Sequence, residues 1–239
     1  MSTDSRRVVL VAICVLSLAS IPRWLRCDDG MDSHVSQGAP VHARETARSI
    51  PAALERRQPV VFRQFPTSPD LFQDDLRPLI ADIIARHGEE EWAAAVICNE
   101  LHRHLGIYSL IGVKMGTRAR ELLGASLDDI RVESSAGQQP PVSCLNDGLQ
   151  VSTGASLGRG TISILPNSAP TPEALFISGG RCLRLRTKSS VIAKIDAEVQ
   201  ALMRQHGDNT PAYMGTIREL ALRCWVELDR AQIFDEGWE

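Results

Sequence analysis

Two histidines and a cysteine lie close together between Cys98 and Leu105. His102 and His104 are two residues apart, so they converge on one point only if a helix ends between them. Cys98 is four residues before His102 and would share its helix face. Imidazole and thiolate are ligands that zinc and iron favour. The segment therefore predicts a metal site, with a histidine that stabilises a helix C-terminus as the alternative.

A second cysteine, Cys144, follows two prolines and precedes a polar stretch that begins a helix. The positive end of a helix favours thiolate, so this place predicts a lowered pKa for the Cys144 thiol. A thiolate can bind a metal ion or attack a carbon atom, and Asp147 is a candidate proton carrier beside it. A buried, unreactive Cys144 is the alternative.

A glycine-rich loop occupies residues 153–160 and could hold a phosphate or carboxylate group. It lacks the Gly-Lys-Ser/Thr ending of a P-loop. Gln150 precedes the loop and shares a helix face with Asp147. We therefore take Gln150, Gly154 and Arg159 as candidate cofactor-binding residues, with a simple turn into the next strand as the alternative.

The composition of the 239-residue chain is that of an ordinary globular protein, with 44% hydrophobic and 23% charged residues. A net charge of -3 and an aromatic content of 5% do not fit a nucleic-acid-binding surface, so we expect no nucleic-acid partner. The six cysteines form no Cys-x-x-Cys pair. Removal of Cys14 with a signal peptide would leave an odd number, so at least one thiol stays free.

The N-terminal segment predicts export. Arg6 and Arg7 precede an apolar run from Val8 to Ile21, which is shorter than the about 20 residues of a membrane-spanning helix. Residues 1–27 are therefore expected to be a signal peptide or membrane anchor, and the paired arginines resemble a twin-arginine signal. We expect an exported protein, periplasmic or membrane-anchored, that meets the membrane only through this segment.

The remaining sequence predicts a linker or extension at 28–68 and a folded domain at 69–239. Apolar residues at helical spacing predict helices at 79–88, 89–101, 107–123, 191–203 and 210–228. Alternating patterns predict strands at 130–133, 161–165, 174–178 and 181–187, the last two joined by a glycine hairpin turn. This order predicts an α+β fold, with helices that flank a mixed or antiparallel sheet.

Several short motifs follow one another between residues 102 and 160. They are His102-Arg103-His104-Leu105-Gly106, then Gly112 with Met115-Gly116, then Cys144-x-x-Asp147-Gly148-x-Gln150, then Thr153-Gly154, Gly158 and Gly160. Together with the closing stretch at 218–230, they resemble the FmdE family, which is named after formylmethanofuran dehydrogenase. Many members read His-Gly-His-x-Cys-Pro-Gly, so Arg103 and the absent Cys-Pro pair are departures that remove one sulfur ligand.

The resemblance implies an α+β core with a cleft in which the two histidines meet the cysteine, often around zinc. Carried over to this sequence, it makes His102, His104 and Cys144 metal ligands. It makes Cys144, His104 and Asp147 candidate catalytic residues, with Gln150 in support. It also implies a core-only member, because many members carry a cysteine-rich C-terminal zinc finger that is not found in this sequence.

The leading functional hypothesis is a metal-binding protein, with zinc as the first candidate ion and enzyme activity on an unknown substrate as one reading. A metal-free enzyme with a Cys/His nucleophile is an alternative, and a non-catalytic module that binds a metal or cofactor is another. We expect a small molecule or metal ion as the partner. A homodimer is a further expectation, because clefts of this kind often form at subunit boundaries.

Overall fold

The computed structural model describes residues 59–166 and 169–239. The predicted signal peptide or anchor at 1–27, and the predicted linker up to residue 58, lie outside the described residues. Within the described part, none of the helices combines the length and the apolar character that a membrane span requires. A short 3-10 segment, Pro69–Leu71, and another, Arg77–Leu79, precede the α-helix that begins at Ile80.

The described residues contain five α-helices: α1 (Ile80–His102), α2 (Ile107–Leu123), α3 (Leu145–Thr153), α4 (Ser189–His206) and α5 (Pro211–Glu227). Inside α1, Gly88 has φ 84 and ψ 162, so the helix breaks where the sequence predicts the end of one helix and the start of the next. The Thr210 side chain accepts a hydrogen bond from the Tyr213 amide, and Pro211 occupies the first turn of α5. This cap confirms the predicted start of the last helix.

Within the same described residues, five strands form one sheet: β1 (Arg131–Ser134), β2 (Ile162–Ile164), β3 (Glu173–Ser178), β4 (Arg181–Thr187) and β5 (Phe234–Trp238). The order is β2-β1-β3-β4-β5, with β1 and β2 parallel and the other neighbours antiparallel. The connection between the two parallel strands contains α3, since a parallel pair needs a crossover. Helices beside a mixed sheet confirm the predicted α+β class.

The strand β5 is absent from the sequence-based prediction. Asp235, Glu236 and Gly237 disfavour strand formation and hide any alternating apolar pattern. The strand forms because β4 offers it an unpaired edge, with Leu185 opposite Glu236 and Thr187 opposite Phe234. Tertiary pairing therefore overrides local propensity at the C-terminal end of the described chain.

Buried side chains from the helices and from the sheet belong to one apolar core. On β4, Leu183 and Leu185 are fully buried, whereas Arg184 is half-buried and Arg186 is exposed. Both arginines donate to the Glu173 carboxylate on the neighbouring strand β3. This pattern confirms the predicted alternation between a core face and a solvent face of that strand.

A buried ion-pair network joins α1 to α2. Lys114 Nζ lies 2.5 Å from Glu91 Oε1 and 3.3 Å from the Trp225 carbonyl oxygen. Arg230 donates to the second Glu91 oxygen at 3.0 Å and to Glu121 at 2.6 Å. The Lys114 and Glu91 side chains are 1% and 0% exposed. The network therefore fixes the two helices that flank the candidate histidine site.

His87 lies beside this network and is expected to make stability depend on pH. Burial lowers the pKa of His87 below its usual value, the Lys114 charge lowers it further, and Glu91 opposes the shift. The unfolded chain then binds more protons than the folded chain below the usual pKa of about 6.5, so stability falls on acidification through that range. One proton contributes a slope of up to about 1.4 kcal/mol per pH unit.

Urea unfolding between about pH 7.5 and pH 5 checks this expectation. His87→Gln should flatten the pH dependence of stability, because glutamine does not titrate. The variant should still fold, because the amide can donate to the Val226 carbonyl oxygen, which lies 3.0 Å from His87 Nε2. His206→Gln, in the last turn of α4, is the matched control and should keep the wild-type slope. An equal slope in His87→Gln and the wild type would contradict the assignment.

Candidate functional site

The two histidines of the H-x-H motif come together because α1 ends between them. His102 is the last residue of α1, and Arg103 has the left-handed φ of 68° that terminates the helix. The chain turns back, and the His102 and His104 rings lie 4.2 Å apart between centroids, with an angle of 39° between their planes. The helix end that the spacing of the two histidines requires is therefore present, between His102 and His104.

Asn99 and Gly106 hold this turn in place. The Gly106 amide donates to Asn99 Oδ1 at 3.2 Å, and Asn99 Nδ2 donates to the Ala95 carbonyl oxygen at 2.8 Å. A Cβ atom on Gly106 would lie 2.9 Å from His102 Cδ2 and 2.7 Å from Ser109 Oγ. Only glycine leaves room for the imidazole at this place, which is why the motif ends in Gly106.

The helix α3 supplies the other half of the site, and it docks on α2 through glycines. A Cβ on Gly112 would lie 2.2 Å from the Leu145 carbonyl oxygen, and one on Gly148 would lie 2.1 Å from the Ser109 carbonyl oxygen. The backbones of the two helices therefore touch at these glycines. This contact brings the first turn of α3, with Asp147, to the end of α1.

Asp147 pairs with His102 at the centre of the site. Asp147 Oδ2 lies 2.7 Å from His102 Nδ1, and the His102 side chain is 10% exposed. In the neutral imidazole, Nδ1 then carries the proton that the carboxylate accepts, and Nε2 keeps its lone pair. His102 Nε2 is buried and has no hydrogen-bond partner among residues 59–166 and 169–239. A buried acceptor without a partner is costly, so this atom is the strongest candidate ligand atom of the site.

Cys144 is half-buried just before α3 and has a free thiol, as do Cys98 and Cys224. Burial raises the pKa of the Cys144 thiol, and the Asp147 carboxylate raises it further. The predicted lowering of this pKa is therefore wrong. A 3-10 turn, Val142–Cys144, runs directly into α3, and the Leu145 amide donates to carbonyl oxygens of that turn, so fewer free N–H groups face the sulfur.

The pKa values of Cys98 and His104 are shifted in opposite directions. Burial raises the pKa of Cys98 to about 12, with added effects from Asp147 and Cys144, so the two thiols and the carboxylate lie within electrostatic reach of one another. Partial desolvation lowers the pKa of His104, and the neighbouring His102 lowers it further. His104 is therefore neutral at neutral pH, with a lone pair available for a ligand.

A family model described as "FmdE, Molybdenum formylmethanofuran dehydrogenase operon" matches residues 101–224. This span is just over half of the chain and begins at the H-x-H turn. The chain belongs to the FmdE family. No curated protein matches it. The matched span contains His102, His104, Cys144 and Asp147, so the site lies inside the part of this FmdE-family chain that defines its membership.

The donor types of the site fit zinc, but the structure does not assemble a complete ligand set. The orphaned His102 Nε2, the neutral His104 ring and the Cys144 thiol are nitrogen and sulfur donors of the kind zinc takes. Within residues 59–166 and 169–239, no three His, Cys, Asp or Glu side chains converge on one point as metal ligands would. The predicted His102/His104/Cys144 centre therefore stays a prediction.

The predicted cofactor-binding residues lie at the other end of α3. The Leu157 amide donates to Gln150 Oε1 at 3.2 Å, and Gly154 ends the helix with a φ of 77°. Arg159 donates to the Gly154 carbonyl oxygen at 3.1 Å and pairs with Asp128. These contacts hold the glycine-rich loop together and do not bring it to His102. Ligand binding by Gln150, Gly154 and Arg159 stays a prediction.

A pocket beside the histidine pair is the main feature that the sequence does not predict. It has a volume of about 290 Å³ and is lined by His104, by Arg103, by residues of the segment before α1, and by Arg218 and Trp225 of α5. His102, Cys144 and Asp147 are not among its lining residues. The closing 218–230 stretch carries part of the family resemblance. It is the one signal in the sequence that α5 contributes to this pocket.

Proposed function

We propose that this FmdE-family chain is a metal-binding protein, with zinc as the first candidate ion and His102 Nε2 as the anchoring ligand. The observation that carries the proposal is the buried His102 Nε2, which has no hydrogen-bond partner in the described part of the chain and whose ring is held through Nδ1 by the Asp147 carboxylate. A carboxylate on the far nitrogen is the usual outer partner of a metal-binding histidine. His104 and Cys144 would supply the other protein ligands.

The residues of the chain have separate tasks in this proposal. Asp147 fixes the tautomer of His102 and raises the basicity of Nε2. Gly106 leaves the space that the His102 ring occupies, and the left-handed turn at Arg103 sets the two imidazoles side by side. Three ligands leave one place for water or a small molecule, and a zinc ion bound there would act as a Lewis acid.

The metal-free nucleophile is the weaker alternative. An activated cysteine needs a lowered pKa, but burial and Asp147 raise the pKa of Cys144. Its base would have to be a histidine, but His102 Nε2 makes no hydrogen bond within the described residues and therefore none to the Cys144 thiol. A bound metal ion would overcome both effects, because coordination deprotonates a thiol outright. The geometry therefore supports a metal ligand better than a free nucleophile.

Elemental analysis of the purified full chain, loaded with zinc and then desalted, tests the proposal. We expect about one metal ion per chain in the wild type and loss of that ion in His102→Ala and Cys144→Ala. Asp147→Asn should keep the ligand atoms but weaken binding by about 10–100-fold, because the ring loses its anionic partner. Competition with a chelator of known affinity measures that difference.

Matched controls separate loss of a ligand from loss of the fold. His206→Ala removes a histidine from the end of α4, and Cys224→Ala removes a free thiol from α5. Both should retain the metal, and circular dichroism should show all variants folded. Metal content unchanged in His102→Ala, or no metal in the wild-type protein after loading, would rule out the proposed centre.

A further inference from the structure

We propose that Asn146 is a positioning residue, which sets the Asp147 carboxylate against His102 and thereby keeps the imidazole proton on Nδ1. The Asn146 amide makes its own hydrogen bonds elsewhere, so it acts on His102 only through Asp147. The proposal rests on the proposed function only where zinc affinity is measured. The tautomer of His102 is a property of the metal-free chain and can be measured without any ion.

The side chain of Asn146 joins the first turn of α3 to the end of strand β1. Ser134, the last residue of β1, donates from Oγ to Asn146 Oδ1 at 2.5 Å. Asn146 Nδ2 donates to the Gly137 carbonyl oxygen at 2.9 Å. The Ala136 amide donates to Ser134 Oγ at 3.1 Å, so the serine hydroxyl is held as well. Both ends of the Asn146 amide therefore have a partner, and we call these contacts the Asn146 clamp.

The directions of these hydrogen bonds fix the orientation of the amide. Oδ1 can only accept and Nδ2 can only donate, so a rotated amide would lose both bonds. Ser134 is 0% exposed, and β1 is an interior strand that pairs with β2 and β3. A buried polar network in which every group is satisfied makes its surroundings rigid. The clamp therefore ties the first turn of α3 to the interior of the sheet.

The start of α3 depends on the Asn146 clamp because its N-terminus lacks a side-chain cap. Cys144 occupies the N-cap position and makes no capping hydrogen bond through its side chain. A cap of that kind is what normally fixes the first turn of a helix. The contacts at Gly112 and Gly148 limit how closely α2 and α3 approach. The directional hydrogen bonds of the clamp are what set the rotation of the first turn.

Asp147 follows Asn146 directly, so the two side chains leave α3 about 100° apart. One is held at the sheet, and the other lies at the end of α1, where Asp147 Oδ2 is 2.7 Å from His102 Nδ1. The Asp147 side chain is 34% exposed, so packing alone does not fix its place. A rotation of the first turn would move both side chains, and the hydrogen bond to His102 weakens with distance and angle.

Proton–nitrogen NMR correlation of the histidine rings in the metal-free full chain tests the proposal, because it distinguishes the two neutral tautomers. At a pH at which the ring is neutral, we expect His102 to be the Nδ1–H form in the wild type. Asn146→Ala should give a mixture of both forms, because the carboxylate no longer stays at Nδ1. An unchanged tautomer in Asn146→Ala, or an Nε2–H form in the wild type, would overturn the proposal.

Ser134→Ala is the second variant of the test. It removes the bond to Asn146 Oδ1 and leaves the bond to the Gly137 carbonyl oxygen, so it should shift the tautomer in the same direction by a smaller amount. Circular dichroism shows whether each variant is folded. If Asn146→Ala does not fold, Ser134→Ala decides alone, and a wild-type tautomer in that variant would contradict the role of the clamp.

Zinc affinity gives a second readout, which separates a positioning role from a merely structural one. Asn146→Ala should weaken zinc binding by about tenfold, the smaller of the effects that follow loss of an outer partner. On an Asp147→Ala background the same substitution should change the affinity by less than about twofold, because no carboxylate is left to position. Competition with a chelator measures both changes, and equal effects on the two backgrounds would count against the proposal.

Asn209→Ala is the matched control for loss of stability. Asn209 lies between α4 and α5 with a left-handed φ of 57°, which alanine tolerates less well than asparagine. This variant should unfold at lower urea and keep the wild-type tautomer of His102 and the wild-type zinc affinity. A tautomer change as large as that in Asn146→Ala would mean that general destabilisation is the cause, and the proposal would fail.

The two readouts also separate this proposal from the metal centre. A wild-type chain that takes up no zinc, but whose His102 tautomer changes in Asn146→Ala, would remove the metal centre and support the positioning role. Zinc uptake with the same His102 tautomer in the wild type and in Asn146→Ala would support the metal centre and overturn the positioning role.

Discussion

Gly148→Ala is expected to destabilise the protein by about 3 kcal/mol or more and to weaken metal binding at the proposed centre at the same time. The added Cβ would lie 2.1 Å from the Ser109 carbonyl oxygen and 2.4 Å from the Val113 amide nitrogen. Both are backbone atoms of α2, so no side-chain rotation can relieve the clash. The higher helix propensity of alanine, about 1 kcal/mol, offsets only part of this strain.

The functional part of this prediction follows from the position of Asp147, one residue before Gly148. If α2 and α3 move apart, Asp147 moves away from His102 Nδ1, which it meets at 2.7 Å. The imidazole then loses the partner that orients it, so the zinc affinity of the proposed centre should fall together with stability. Urea unfolding and chelator competition on the same protein measure the two effects.

A glycine in another helix gives the matched control. Gly215 lies inside α5, and a Cβ there would have no atom within 4 Å. Gly215→Ala should therefore stabilise the protein by about 1 kcal/mol and leave metal binding unchanged. If both alanine variants behaved alike, the close contact between α2 and α3 would not be what positions Asp147.

Local signals in the sequence were enough to predict the halves of the site. The H-x-H spacing required a helix end, and α1 does end at His102. Gly112 lies against the Leu145 carbonyl oxygen and Gly148 of α3, but the sequence around a glycine does not name the backbone that it approaches. The pairing of Asp147 with His102 links residues that are 45 positions apart. It depends on how α3 docks, and periodicity carries no information about docking.

The pKa of Cys144 shows why the electrostatics of the site could not be predicted from the sequence. A helix start favours thiolate, and that argument holds for an exposed helix with free N–H groups. In the folded chain the sulfur is half-buried, Asp147 is nearby and a 3-10 turn uses part of the N-terminal N–H groups. Burial is a tertiary property, so the local argument gave the wrong direction. The pocket could not be predicted either, because it forms only when the chain folds and brings Trp225 close to Arg103, which is far away in sequence.

The second large effect is expected from the buried ion pair between α1 and α2. Glu91→Gln removes the charge that faces Lys114 Nζ at 2.5 Å and leaves the ammonium group buried. Burial already lowers the pKa of Lys114, and Glu91 is the first opposing influence. The loss of one partner of a buried pair typically destabilises a protein by about 3–5 kcal/mol. Urea unfolding at neutral pH measures the change.

A double variant distinguishes an uncompensated charge from simple loss of packing. Glu91→Leu combined with Lys114→Met replaces the pair by apolar groups, and it should recover most of the stability that either single substitution removes. Arg230 keeps its contacts with Glu121 and with the His87 carbonyl oxygen in that variant. A double variant as unstable as the sum of the single ones would show that the charges act independently. Recovery of stability in the double variant would mean that apolar groups can replace the ion pair. Zinc binding by that variant would then show whether the ion pair also aligns α1 with α2 at the histidine turn.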